Sequence, residues 1–329
     1  MAMTGERPVL VATEVNDVTA DMVIAHINQR GVPVVRFNPA DFGTDLTMSA
    51  RFGIGPSLVT GQIRTPSRIV GLERVGAVYW RRPVWPLFEH LQDADAQFAT
   101  AQVRYGLGGT LYGLQGCLWL NHPLRNAAAD YKPTQLALAH RMGFSVPPTL
   151  VTNDPNEARR FIREHRQVIH KALRWTPYQR DGVGLTSWAE PVSAEELDET
   201  VRFTPHLFQA RVDKVADLRV LIVGRRTFAV RIDSDLLDWR RDYSALTYSV
   251  VELPNRMEKT LLAYLDHFGL ASGSFDLAVD RDGAFHWLEL NPNGQWGWLE
   301  ERTGLEMAAA FAQLLVEGSL AEGEADARA

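Results

Sequence analysis

Val9-Leu10-Val11-Ala12 is a short, unbroken apolar run that reads as a buried strand. Apolar positions then recur at helical spacing through Met22, Val23, Ala25 and Ile27, within Thr19 to Arg30, and Gly31 closes that helix. Val34 to Phe37 follows as a second strand. Strand, helix and strand with short connections predict an α/β opening on a small parallel sheet. Gly61 to Ile63 and Ala77 to Trp80 add strands, and Ala94 to Leu111 has helical periodicity with few breakers. The segment Leu118 to Pro123 ends this first unit.

A helix from about Tyr131 to Met142 stops at Gly143, and Pro147-Pro148 leads into the strand Thr149 to Thr152. The helix Asn156 to His165 precedes the strand Val168 to Ala172. A turn-rich stretch with Gly182 and Gly184 comes next, then a mostly antiparallel series to about Asn291. The class is α/β with α+β character. Its expected divisions are an N-terminal α/β domain over 1–118, a central lobe over 119–205, a C-terminal lobe over 206–317, and a frayed, disordered tail over 318–329.

The chain has 329 residues, 46% of them hydrophobic and 22% charged, enough for two or three packed units. A net charge of -6 and a pI near 5.9 supply no field for nucleic acid or an anionic membrane, so neither is an expected partner. An acidic substrate needs a local cluster of arginines. The single cysteine, Cys117, excludes an intrachain disulfide framework and a cysteine-based zinc cage. The apolar stretch near the N-terminus is far too short for a signal peptide or a membrane span, and cytoplasm is the expected compartment.

Chemistry concentrates in one hairpin. Ser274 to Arg281 and Ala284 to Asn291 flank Asp282-Gly283, a strong two-residue turn signal. That turn sets Arg281 opposite Ala284 and Asp276 opposite Glu289, with Asn291 on the Glu289 face. Phe275, Leu277, Val279, Leu288 and Leu290 then point into a core. Two carboxylates and an amide oxygen on one face make a hard-oxygen site suited to Mg²⁺. The same alternation also fits solvent-facing acids on an edge hairpin and, less well, a general acid/base pair.

Only four of the 34 basic residues are lysines: Lys132, Lys171, Lys214 and Lys259. Such scarcity marks them as candidates for sites that need a compact ammonium, although chance survival accounts equally well for any one of them alone. Lys132 opens a helix and Lys171 ends an apolar strand, so both can aim at a polyphosphate. The stretch Trp175, Gly182, Val183, Gly184 to Ser187 reads either as a flexible lid or as an ordinary surface loop.

Several stretches, in order, resemble the ATP-grasp superfamily over roughly residues 118–317, and within it the peptide maturases known as graspetide or omega-ester peptide synthetases. They are Asn121 to Lys132 with Thr134-Gln135-Leu136, Met142 to Asn153, Val168 to Lys171, Phe208 to Lys214, Asp217 to Val220, Val223-Gly224, Phe228 to Ile232, and the hairpin with its Asp and Glu-x-Asn set. Tyr79-Trp80-Arg81-Arg82-Pro83 in the first domain also resembles that subfamily. The resemblance implies an ATP-grasp fold behind an N-terminal pre-ATP-grasp domain, with ATP and Mg²⁺ as cofactors. It implies Lys132 and Lys171 on the ATP phosphates, and Gln209, Ala210, Arg211 and Val212 offering backbone groups to adenine. Asp213 or Lys214 lies near the ribose, and Asp276, Glu289 and Asn291 hold the metal. Ala210 stands where family members often have Glu, so a side-chain contact to the adenine amino group is not expected.

Arg219 and Arg231 are the expected catalytic cations, because a three-residue loop at Gly224, Arg225 and Arg226 sets them opposite each other, where an acyl phosphate relieves their repulsion. Exposed arginines on an antiparallel face give the same pattern. Trp239 to Asp242 form a loop able to meet an acidic substrate; Arg81 and Arg82 serve similarly or bridge domains. The implied function is ATP-dependent activation of Asp or Glu side chains in a ribosomal precursor peptide, leader plus acidic core, followed by intramolecular ester or amide formation. A homodimer is left open. The alternatives are an ATP-grasp ligase of a small molecule or a protein C-terminus, and a non-catalytic ATP-grasp module that binds nucleotide or peptide.

Overall fold

The apolar run near the N-terminus forms β1 (Val9–Thr13), every residue of it buried, and is followed by α1 (Val18–Gln29) and β2 (Val34–Phe37). The computed structural model describes residues 7–54, 58–174, 178–180 and 183–320. Next come β3 (Thr47–Phe52), β4 (Val59–Arg64), β5 (Ile69–Gly71), β6 (Ala77–Arg82), α2 (Asp93–Tyr112) and β7 (Leu118–Leu120). A parallel sheet of order β2-β1-β6-β7 carries this unit, and β3-β4-β5 form a separate antiparallel sheet. Leu118–Leu120 is therefore the last strand of the first sheet.

The chain continues through α3 (Pro123–Ala129), α4 (Lys132–Arg141), β8 (Thr149–Thr152), α5 (Pro155–His165), β9 (Val168–Lys171), β10 (Tyr178–Arg180), β11 (Val183–Leu185), β12 (Glu190–Val192) and β13 (His206–Ala210). After these come β14 (Lys214–Val223), β15 (Arg226–Asp233), β16 (Thr247–Val250), α6 (Asn255–Phe268), β17 (Ser272–Asp280), β18 (Phe285–Asn291), α7 (Gly297–Thr303) and α8 (Met307–Leu320). One antiparallel sheet has the order β12-β9-β13-β8, and a larger one has the order β16-β15-β14-β17-β18. β13 thus pairs with β8 and β9, on the other side of the 205/206 line drawn from the sequence.

Two compact units result. One takes the described residues up to Asn126, then Leu270–Ser272, then those from Gln295 onward; the other takes Ala127–Gly269 and Gly273–Gly294. In the first, α8 packs on the parallel sheet, with Phe311 against Tyr79 at 5.7 Å and stacked on Trp296 at 4.8 Å. The tail predicted from residue 318 is a helix as far as Leu320, and residues 321–329 lie outside the described residues. Position 318 of this helix is a glycine because a Cβ there would lie 2.4 Å from the Leu118 side chain. Among the described residues no helix is long and apolar enough to cross a membrane.

In the second unit, Tyr264 of α6 packs on Phe275 and Trp287 of the β17–β18 hairpin at 5.9 and 4.5 Å, forming the aromatic floor under the acidic face. Trp287 fills that floor in place of Leu288. β18 has a bulge: Asp276 pairs with Glu289 but Leu277 pairs with Trp287, so the alternation slips by one residue there.

Candidate active site

Asp276 and Glu289 face each other across β17 and β18, and Asn291 sits beside them. The Asn291 amide donates to Asp276 Oδ2 at 3.1 Å and to Glu289 Oε1 at 3.2 Å, so the two carboxylates lie within reach of one small group. Four cations converge on the pair. Arg219 Nη1 meets both oxygens of Asp276 at 2.8 Å. Lys132 Nζ pairs with Glu289 at 3.0 Å and Arg240 Nη1 with the same carboxylate at 3.3 Å. Lys171 lies close enough for its charge to act on Glu289.

Burial would raise the Glu289 carboxyl, but Lys132, Arg240 and Lys171 outweigh it and hold the group well below the usual carboxylate range. At Asp276 burial prevails over Arg219, and the carboxyl is raised. One member of the pair is firmly ionised while the other accepts a proton readily. Asp217, on the same strand as Arg219, is pushed up to about 6 by burial, against the opposing charge of Lys214.

Each cation is fixed by secondary structure. Lys132 is the first residue of α4, where Pro133 suits the opening turn, and its Nζ also donates to Ala172 O at 2.9 Å. Lys171 ends β9 and donates to Gln209 Oε1 at 2.8 Å; Gln209 in turn donates to Thr149 Oγ1 at 2.9 Å. Arg240 follows the buried Asp238, which caps the turn Trp239–Arg241 and accepts from Arg240 Nε at 2.8 Å and Nη2 at 2.9 Å. Asp238 also accepts from Ala189 N at 3.3 Å, and Arg241 pairs with Glu190, so this loop is tied to β12 and its approach.

The expected opposition of Arg219 and Arg231 does not occur. Val223 pairs with Arg226, which leaves Gly224 and Arg225 as a two-residue turn with Gly224 at φ +59°. Arg219 therefore pairs with Val230, and Arg231 with Leu218. A one-residue change of register moves a side chain to the opposite face, and Arg231 instead holds Asp233 at 2.9 Å. The Gln209, Ala210, Arg211 and Val212 stretch expected to meet adenine also differs in detail. Ala210 N donates to Pro148 O and Arg211 N to Gln167 O, both at 2.8 Å, so the hinge amides still available are those of Val212 and Asp213. Asp213 pairs with Arg281 on the surface and Lys214 with the buried Asp217. Of the lid stretch, Trp175 and Gly182 lie outside the described residues, and Val183–Leu185 pairs with Tyr178–Arg180.

Two residues carry more of the site than the sequence indicated. Arg240 was legible only as a loop arginine. Gln135 appeared only as part of a motif, yet its buried amide donates to Leu290 O at 2.8 Å and accepts from Leu290 N at 2.8 Å. Leu290 is the residue between Glu289 and Asn291, and Gln135 stands one turn after Lys132 on α4. One amide therefore sets the spacing of the lysine and the acids.

The MvdD pre-ATP grasp domain matches residues 8–126. Over 94% of this chain and 97% of the other, the structure is similar to a Chryseobacterium gregarium RiPP-associated ATP-grasp ligase in complex with ADP and a leader and core peptide, at 29% identity and a TM-score of 0.86. The chain is an ATP-grasp ligase. Similarity of the same extent holds to macrocyclase MdnC of Microcystis aeruginosa MRC bound with precursor peptide MdnA, at 27% identity, a TM-score of 0.85 and coverage of 94% of this chain and 99% of that one. Macrocyclase MdnB of the same organism gives 27% identity, a TM-score of 0.80 and the same coverage. D-cycloserine synthetase DcsG shares the ligase fold at 16% identity and a TM-score of 0.59. No curated protein sequence matches the ligase.

The acidic face of the ligase fits a magnesium ion by its chemistry. Carboxylate and amide oxygens are the hard donors that ion takes, and a flip of the Asn291 amide would turn Oδ1 toward the two carboxylates in place of the nitrogen. Among the described residues no group of three or more His, Cys, Asp and Glu is gathered as a metal cage. The set has two acids and one amide, as in a site where phosphate supplies the remaining oxygens.

Proposed function

We propose that this ligase uses Mg-ATP to activate an Asp or Glu side chain of a ribosomal precursor peptide and joins it to a Ser, Thr or Lys side chain of the same peptide. The observation that carries the reading is the convergence of Lys132, Lys171, Arg219 and Arg240 on one carboxylate pair. So dense a positive cluster suits a triphosphate and an acidic peptide together. The full-length likeness to ligases bound to leader, core or precursor peptides supports the peptide as substrate.

A substrate carboxylate oxygen attacks the γ-phosphorus, and the bond to ADP breaks. The hydroxyl or amine then attacks the acyl carbon; phosphate leaves, and the nucleophile's proton departs with it or to solvent. In this reading Lys132 and Lys171 hold the phosphates, and Val212 presents its N–H to adenine at the hinge formed with Gln209, Ala210 and Arg211. Asp276, Glu289 and Asn291 would hold magnesium, which when bound screens the transferring phosphoryl charge. Arg219 and Arg240, which meet the carboxylate pair, stabilise the oxyanion in this reading. Arg231, on the other face, is set apart from this role, and Asp213 and Lys214 keep their partners at the ribose end.

The test is mass spectrometry of an acidic Thr-rich precursor peptide after incubation with protein and Mg-ATP. One water lost per ring, with matching ADP, is expected. ADP release with free amino acids and no change in the peptide would replace the reading with a small-molecule ligase. Arg240→Ala should slow ring formation about 10²–10³-fold, the usual loss for one oxyanion donor, while Arg231→Ala should stay close to wild type. The reverse order would restore Arg231.

Nucleotide binding should also be linked to protons. Burial pushes the Lys171 ammonium down to about 8, so in the free protein much of its charge is lost as pH rises through that value. A phosphate beside it raises the pKa again, so ADP binding takes up protons near pH 8 and weakens at higher pH. Calorimetry in buffers of different ionisation enthalpy reads this uptake. Lys171→Arg should abolish it, since a guanidinium does not titrate there. Wild-type binding without proton uptake would remove Lys171 from the phosphates.

A further inference from the structure

Gln209 puts a long polar side chain inside a sheet, where β-branched and aromatic residues are the favoured occupants. It is 2% exposed and lies on β13, with β8 on one side and β9 on the other. Strand alternation gives β13 two faces. Phe208 packs with Ala158 and Ile162 of α5, in a core that also takes Val168 and Leu150. Gln209 points the other way. Thr149 is directly opposite it on β8, and Lys171 is its diagonal neighbour on β9, because Ile169 pairs with Gln209 and Lys171 with Leu207. Long side chains reach across such a diagonal.

The hydrogen bonds that result have a single direction. Lysine only donates, so the Gln209 oxygen must face it, and Lys171 Nζ donates to Oε1 at 2.8 Å. That leaves Nε2 toward Thr149 Oγ1, which accepts at 2.9 Å and gives its own hydrogen to Pro147 O at 2.7 Å. The Pro147 backbone thus fixes the amide, and the amide fixes the ammonium. Lys132 and Lys214 rest on carboxylates, those of Glu289 and Asp217, whereas Lys171 rests on a neutral group. A neutral acceptor holds an ammonium less strongly than a carboxylate does, and it occupies only one of the three N–H groups. The other two stay available to an anion, with their direction set.

We propose, on the reading that Lys171 holds phosphate, that the Gln209 side chain is a positioning residue: it aims Lys171 at the nucleotide and, being neutral, does not compete with it. This role belongs to the side chain and is separate from any backbone contact to adenine. A carboxylate at this position would hold the ammonium by charge and face the phosphates with a like charge. An apolar side chain would leave the ammonium unaimed. Both changes should weaken nucleotide binding, yet they act oppositely on the lysine, because a nearby carboxylate favours its charged form and loss of an acceptor disfavours it.

The chain has only four lysines, so NMR of isotope-labelled lysine ε-carbons resolves each, with Lys171→Met assigning its signal. In the free wild type Lys171 should titrate at about 8. Gln209→Glu should bind the Lys171 proton about tenfold more tightly, the smaller end of what an adjacent opposite charge does, and Gln209→Leu should bind it more weakly. Calorimetry should show ADP affinity falling about tenfold in both, the scale of one hydrogen bond to a charged group. Proton uptake on ADP binding near pH 8 should vanish in Gln209→Glu, where the lysine is already charged. A purely structural Gln209 would move the melting temperature and leave the titration and the uptake alone, which overturns the proposal. ADP affinity indifferent to Lys171→Met overturns the phosphate reading, and the proposal with it. Affinity lost in Lys171→Met but retained in both Gln209 variants overturns the proposal alone. If neither Gln209 variant folds, Thr149→Val decides: it frees the amide to turn from Lys171, and wild-type ADP affinity with an unchanged Lys171 titration overturns the relay.

Discussion

Glu289→Gln is expected to reduce ring formation by 10²–10³-fold or more, the scale on which loss of a single preorganised charge acts, while leaving the protein folded. Glu289 is the hub of the site: Lys132 at 3.0 Å, Arg240 at 3.3 Å and Asn291 at 3.2 Å all turn to it. Neutralising it leaves cations converging on an amide. ADP alone should then bind at least as well as before, because its phosphates replace the missing anion. The strengthening of ADP binding by magnesium should vanish, since one charged oxygen donor has gone. Calorimetry with and without magnesium separates these effects. A variant in which magnesium still strengthens ADP binding, or which cyclises normally, would take Glu289 out of the metal set. Asp276→Asn is a poorer probe, because it strands the buried Arg219 beside a neutral amide and should itself cost about 3–5 kcal/mol of stability.

Gln135→Met is expected to be the most destabilising single change in the second unit. Its amide is 2% exposed and serves three buried backbone groups: Ala129 O at 2.6 Å, Leu290 O at 2.8 Å and Leu290 N at 2.8 Å. Methionine keeps the volume and removes all three partners. Each buried polar group left unpaired costs about 1–3 kcal/mol, which over the three groups is about 3–9 kcal/mol. Gln135→Glu keeps the acceptor for Leu290 N but turns a second acceptor toward two carbonyls, so it should be comparably damaging. Denaturant midpoints with unchanged slopes measure the loss. The folded fraction should also turn over slowly, because Leu290 separates Glu289 from Asn291. A loss under about 1 kcal/mol would mean that water replaces the amide.

The legibility of the site depended on which residues declare themselves locally. Asp276 opposite Glu289 was readable from the hairpin signal, although the hairpin does not close as read. Asp280 N donates to Ala284 O and Gly283 N to Asp280 O, so the turn encloses more residues than Asp282-Gly283. The bulge in β18 then restores the register at Asp276, and the two departures cancel at the acids while moving Trp287 into the core. At Gly224 no bulge compensates, and Arg231 falls on the wrong face. Alternation reveals a strand, but a one-residue difference in a turn is set by backbone geometry that composition does not display. Gln135 and Asp238 were hidden for another reason. Their roles lie in contacts to residues 155 and 49 positions away, and neither has a local pattern to mark it.

The division of the first unit into separated segments bears on how the chain is made. Its parallel sheet is complete once Leu120 has left the ribosome, but the helix that places Phe311 against Tyr79 begins at Met307. The whole second unit is synthesised in between. At ~5–20 residues per second this interval is roughly 10–40 s, during which an apolar sheet face waits without its cover. The nascent first unit is thus a natural client for a chaperone, and a gene fragment ending near Asn126 should yield insoluble protein unless α8 is supplied with it.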